Sequence, residues 1–152
     1  TSERKRGGSA VIDRHARYRA AELLDSFVEG SITNDQFEEG WPLSADDGAL
    51  SQISCRLWSQ YDDLSEHRLN PNTLDARQID LFRRTSRFLR SSLEYEWPDL
   101  PAFGVPAVFF AVVTLGLSRV FWWRQRQRFR AAGDLSVWPF LRRSDLESVA
   151  DR

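Results

Sequence analysis

The apolar positions recur at helical rather than strand intervals over most of the chain. From Ala10 to Glu29, Ile12, Ala16, Ala20, Leu23, Leu24, Phe27 and Val28 return on one face, which predicts an amphipathic helix. Ser9 offers an N-cap oxygen for it, and Gly30 stands where a left-handed residue closes a helix. The polar, glycine-containing residues 1–8 read as a disordered tail. A second apolar face, Leu50, Ile53, Leu57, Trp58 and Tyr61, predicts a helix over 46–61, with Ser44 and Asp47 at capping-box spacing. Asp62, Asp63 and residues 67–72 end it. After Pro71, with Asn72 or Thr73 as cap, Ile79, Phe82, Leu89 and Leu93 form one seam and Leu81, Phe88 and Tyr95 an adjacent one. Arg77, Arg83, Arg84, Arg87 and Arg90 occupy the opposite face, and Trp97-Pro98 sets the expected stop. No strand-like alternation, hairpin signal or fixed-period repeat appears, so the expected class is all-α, a small bundle of about four main helices.

Between the first two of these helices lies Gly30-Ser31-Ile32-Thr33-Asn34-Asp35-Gln36-Phe37-Glu38-Glu39, in which Thr33 and Gln36 have capping-box spacing. A tight turn and a short helix are expected before Gly40-Trp41-Pro42 stops it. An amphipathic helix followed by Gly-x-Ile-Thr, acidic residues and Phe resembles the short C-terminal domain family known as SHOCT. The resemblance covers residues 20–39; here it lies toward the N-terminus, and Gly40-Trp41-Pro42 stands where a basic, leucine-rich helix would continue. It implies an accessory helical hairpin used for protein contacts, with no chemistry to carry over.

Between Asp99 and Arg119 lie 19 positions without a charge, dominated by Val, Phe, Ala and Leu. That approaches the roughly 20 residues of a bilayer-spanning helix, and the lack of a polar stripe fits a helix enclosed by lipid or by protein. Pro101, Gly104 and Pro106 delay the expected helix start to residue 105, which leaves 14 residues before Arg119. A snorkelling Arg119 and an interfacial belt of Phe121, Trp122 and Trp123 would extend the apolar helix to 105–123. Arg124, Arg126, Arg128 and Arg130 continue the same helix toward Ala132, with Gly133 as its expected cap. Positive-inside orientation puts this flank in the cytoplasm and residues 1–98 outside, yet no secretory signal run is visible in the N-terminal sequence. The opposite orientation exports the arginines. A helix lying in the interface, or a buried central helix of a bundle, avoids the conflict. Candidate membrane or partner contacts are Phe109, Phe110, Val112, Trp122, Trp123, Arg124, Arg126, Arg128 and Arg130.

Residues 133–152 carry Val137-Trp138-Pro139-Phe140-Leu141 and then Ser144 and Glu147 at capping-box spacing for a short terminal helix. The aromatic cluster needs a docking surface, which the chain's own helices would provide. The alternative is a partner-binding peptide, so Trp138 and Phe140 join the candidate contacts.

Charge changes the picture little. The 21 Lys and Arg balance 22 Asp and Glu to a net of −1, so no global field draws the chain to nucleic acid or acidic lipid. One cysteine, Cys55, precludes an intramolecular disulfide and a multi-thiolate zinc site, and reads as a buried packing residue. His15 and His67 lack a nucleophile or metal-ligand partner in the sequence and read as structural or surface residues. No phosphate loop, nucleophile elbow, dinucleotide fingerprint or calcium loop is present. The expectation is therefore a non-enzymatic helical interaction or accessory protein with no catalytic, cofactor or metal site, membrane-associated or cytoplasmic. An unidentified protein and membrane lipid are its candidate partners. A soluble binding module with 103–123 as its core is the alternative. Nucleic-acid binding through Arg124–Arg130 beside paired tryptophans is a lesser one.

Overall fold

A computed structural model describes residues 11–62, 64–98 and 117–150, the side chains of 117–122 and 150 excepted. The six helices among these residues are α1 Arg14–Val28, α2 Asn34–Gly40, α3 Gly48–Leu57, α4 Ala76–Arg90, α5 Leu117–Ala132 and α6 Arg143–Ala150. Short 3-10 turns follow α3 at Trp58–Gln60 and α5 at Leu135–Val137. No strand occurs among the described residues, and one isolated bridge joins Thr33 to Arg68. The helical class read from the periodicity holds.

Helix α1 buries Ala16, Arg17, Ala20, Ala21, Leu24 and Phe27 on one arc. Its start differs from expectation. Ser9 lies outside the described residues, and Asp13 is the N-cap, its carboxylate accepting the Ala16 N–H at 2.9 Å. That bond holds the Asp13 carboxyl below its usual range against the opposing effect of burial, with smaller help from Ser44 and His15. Gly30 closes the helix as expected. With φ +73°, it lets Ser31 N–H reach the Ser26 carbonyl at 2.9 Å and its own N–H reach Phe27 at 3.0 Å, a Schellman end. A Cβ on Gly30 would stand 2.5 Å from the Leu69 carbonyl oxygen. Gly30→Ala is expected to cost at least about 1–2 kcal/mol from the left-handed backbone, measured by urea unfolding, with the clash adding to it.

The segment resembling the helical hairpin forms the expected helix, turn and short helix. Thr33 and Gln36 complete a reciprocal capping box on α2. Its Phe37 stacks on Phe27 with ring centroids 4.6 Å apart, and Tyr61 packs edge-on against both. Asn34, fully buried, fastens the loop after α3: its side-chain amide donates to the Ser65 carbonyl at 3.2 Å and its Oδ1 accepts the His67 N–H at 2.8 Å.

Two further caps lie downstream of the expected positions. Asp47, not Ser44, caps α3, accepting the Ala49 N–H, while Ser44 hydrogen-bonds Asp13 instead. Asp75, not Asn72 or Thr73, caps α4 in a second reciprocal box with Gln78, because residues 70–73 are held in a turn by the Thr73 N–H to Asn70 carbonyl bond. Cys55 is exposed rather than buried, since Ala49, Leu50, Ile53 and Leu57 take the inner face of α3 and position 55 falls opposite.

Helices α1 and α4 run antiparallel. Asp25 pairs with Arg90 at 2.7 Å, Arg17 reaches Leu93 just past the end of α4, and Val28 shares a cleft with Ile79 near its start. The expected continuation of α4 to Trp97 is corrected: the helix ends at Arg90. The Ser91 hydroxyl donates to the Phe88 carbonyl at 2.7 Å and accepts the Leu93 N–H at 3.2 Å, turning the chain out into an extended run. Leu93 and Tyr95 thus leave the helical seams assigned to them, and Trp97 becomes free to reach the tail.

One core joins these pieces. Leu24, Phe27, Ile53, Phe82, Phe88, Trp97, Phe129, Trp138 and Phe140 are all buried in it. At its edge, Arg17, 1% exposed, binds Asp47 through two bonds, Nε at 2.5 Å and a terminal nitrogen at 2.9 Å, and donates to the Leu93 carbonyl at 2.6 Å. Its guanidinium also lies over the Phe88 ring, 5.3 Å from the centroid.

Candidate functional site

The described side chains of α5 divide sharply. Gln125, Phe129 and Ala132, spaced as one narrow helical seam, are buried or half-buried. Trp123, 60% exposed, and Arg124, Arg126, Arg128 and Arg130 lie outside it and cover the rest of the cylinder. No acidic residue occurs between Leu117 and Ala132, and the ion pairs among the described residues are formed elsewhere. Over residues 123–132, α5 is a strongly basic rod attached along a single line.

The attachment is aromatic. Phe129 packs on Trp97 with ring centroids 4.7 Å apart, and Trp97 Nε1 donates to the carbonyls of Pro139 and Phe140 at 3.0 and 3.2 Å. Arg56, from α3, places its guanidinium over Phe129 at 5.9 Å and over Trp138 at 5.0 Å. Burial pulls the Arg56 pKa below the ordinary arginine value, with Tyr95 opposing. At the end of α5, Gly133 is required by proximity: a Cβ there would meet the Leu141 carbonyl oxygen at 2.5 Å. Its φ is not in the positive region expected of a left-handed cap. Asp134 then caps the following turn, and the hydroxyl and N–H of Ser136 hold its carboxyl below the usual range.

The sequence-derived contact residues therefore separate. Trp123 and the four arginines form an exposed surface. Trp122 lies on α5 with its side chain outside the description, and Phe109, Phe110 and Val112 lie outside the described residues altogether. Trp138 and Phe140 are corrected: each is 1% exposed, and both face the protein's own core, so neither presents a ring to lipid or a partner. Trp138 follows the 3-10 turn with its Nε1 donating to the Tyr95 hydroxyl at 3.3 Å and is joined to Pro139 by a cis peptide bond. Phe140 packs edge-on against Phe88 at 5.4 Å. In α6, Asp145 rather than Glu147 reaches back, accepting the Arg142 N–H at 3.1 Å.

Sequence spacing singles out neither Arg17 nor Arg56, and it marks Asp47 and Trp97 only as a capping residue and a helix stop. A signal existed for the first, since Arg17 falls inside the arc spanned by Ala16 and Ala21. His15 is exposed, while the His67 ring contacts the Ser65 carbonyl at 2.9 Å and its backbone N–H serves Asn34. Among the described residues no group of three or more His, Cys, Asp or Glu is placed to hold a metal, and no helix is long and apolar enough to cross a membrane. Comparison of the chain with protein-family models, with curated proteins and with solved structures finds no match.

Proposed function

We propose that this is a non-enzymatic helical interaction protein that associates with a membrane through residues 103–123 and serves as an accessory component of a larger assembly. The observation that carries the reading is the exposed Trp123 and arginine surface of α5, immediately after 19 uncharged positions. Tryptophan favours the headgroup boundary, and arginines just beyond it meet lipid phosphates. The narrow seam of α5 supports the same reading, because a rod docked along one line leaves its other faces to an outside surface. The folded body of α1 to α4 and the tail would then be the part that meets a protein partner.

Val112→Arg tests the assignment. A guanidinium in the membrane-embedded apolar run proposed here adds about 3 kcal/mol to insertion, so the variant is expected to move from the membrane to the soluble fraction while its circular dichroism stays helical. If residues 103–123 are instead the core of a soluble binding module, the same change unfolds the protein and leaves nothing membrane-bound to release.

A further inference from the structure

A cleft of about 600 Å³ opens beside the root of α5, between the end of α3, the first turn of α4 and the tail. Its polar wall is formed by Arg56, Gln60, Arg77, Gln78 and Arg84, with Asp75 as the one lining carboxylate. Asp75 is committed to its helix, one oxygen accepting the Gln78 N–H at 2.7 Å. Arg84 is partly neutralised, pairing with Asp80 and donating Nε to the Trp138 carbonyl at 3.2 Å. Arg56 and Arg77 have no carboxylate partner among the described residues. The Arg56 guanidinium is oriented by ring faces, which attract the cation and leave its N–H donors unspent. The N-terminal turn of α4, a 15-residue helix, adds its positive dipole end to the same wall. Leu81 and Leu135 add apolar side chains to the lining.

We propose that this cleft binds a phosphate monoester bearing an apolar group, with Arg56 and Arg77 on the phosphate oxygens and the apolar group against Leu81 and Leu135. Guanidinium forks match phosphate oxygens, and a volume within the roughly 300–1,000 Å³ of small-molecule sites leaves room for the ester group. The ester is either a soluble phosphorylated compound or the headgroup of a phosphatidate-like lipid. The inference does not rest on membrane association, since a soluble ester would enter the cleft without a bilayer.

The test titrates the full chain, in neutral detergent where extraction needs it, with phenyl phosphate in a calorimeter at fixed ionic strength. A parallel arm measures sedimentation with phosphatidylcholine vesicles containing or lacking phosphatidic acid. Saturable phenyl phosphate binding, weakened about tenfold or more by Arg56→Gln and by Arg77→Gln but not by Arg83→Gln, supports a soluble ester. Arg83 lines a different cleft, beside Asp25, and Arg77 is exposed, so both variants are expected to fold. Phosphatidate-dependent sedimentation that Arg77→Gln abolishes, without phenyl phosphate binding, supports a lipid headgroup. Absence of both signals, or equal losses with Arg83→Gln, overturns the proposal.

Discussion

Asp47→Asn is expected to lower the unfolding free energy by about 3–5 kcal/mol, seen as a fall in the urea midpoint at unchanged slope. Domains of this size are stable by roughly 5–15 kcal/mol, so the variant approaches the threshold of folding at 25 °C. The reason is the cation left behind. Arg17 is 1% exposed, and both of its ion-pair bonds go to Asp47, which also accepts the Ala49 and Asp13 N–H groups. An amide oxygen still caps α3, but it cannot offset a buried guanidinium. Adding Arg17→Met to Asp47→Asn removes that cation and keeps the cap, so the double variant is expected to be more stable than Asp47→Asn alone and within about 2 kcal/mol of the unaltered protein. A double variant weaker than the single one would show that Arg17, through the Leu93 carbonyl and the Phe88 ring, stabilises the fold even without Asp47.

Trp138→Ala comes second, with an expected loss of about 3–5 kcal/mol from the cavity its buried ring would leave in the core. Its ring is 1% exposed, supports Arg56 at 5.0 Å and donates to the Tyr95 hydroxyl. The neighbouring Pro139 and Phe140 carbonyls hold Trp97 against Phe129 of α5. Thermal unfolding followed by circular dichroism measures the loss, and Trp138→Phe should recover part of it by refilling the cavity. A loss below that of an ordinary surface change would mean that the tail is not an integral part of the core.

Local periodicity made the helices legible where it was strong. The apolar faces of α1 and α3, the Gly30 turn and the Thr33 and Gln36 box follow from spacing alone, because each depends on residues within a turn or two of one another. The caps of α3 and α4 lie up to three residues from the expected positions, since several Asp, Ser and Thr side chains compete within reach, and the Ser44 bond to Asp13 and the turn at Asn70 to Thr73 decide among them. The end of α4 was illegible for a different reason. Leu93 and Tyr95 continue a good helical pattern, and what periodicity does not show is the Ser91 hydroxyl that turns the chain and the Arg17 guanidinium, 76 positions earlier, that binds the Leu93 carbonyl. Trp138 and Phe140 had both a core and an interface reading in sequence, which burial against Phe88, Tyr95 and Trp97 resolves. The candidate surface itself was visible as a composition, an uncharged run and then alternating arginines. The Arg56 and Arg77 cleft was not, because it is assembled from three segments.

Fractionating cells that express the full chain, and washing the membranes with alkaline carbonate before adding detergent, tests most directly whether residues 103–123 hold the protein to a bilayer as proposed. Retention through the carbonate wash, followed by release of folded protein with detergent, is the result expected. Recovery of the folded chain in the soluble fraction without detergent would contradict the claim and assign the uncharged run to the protein's own core.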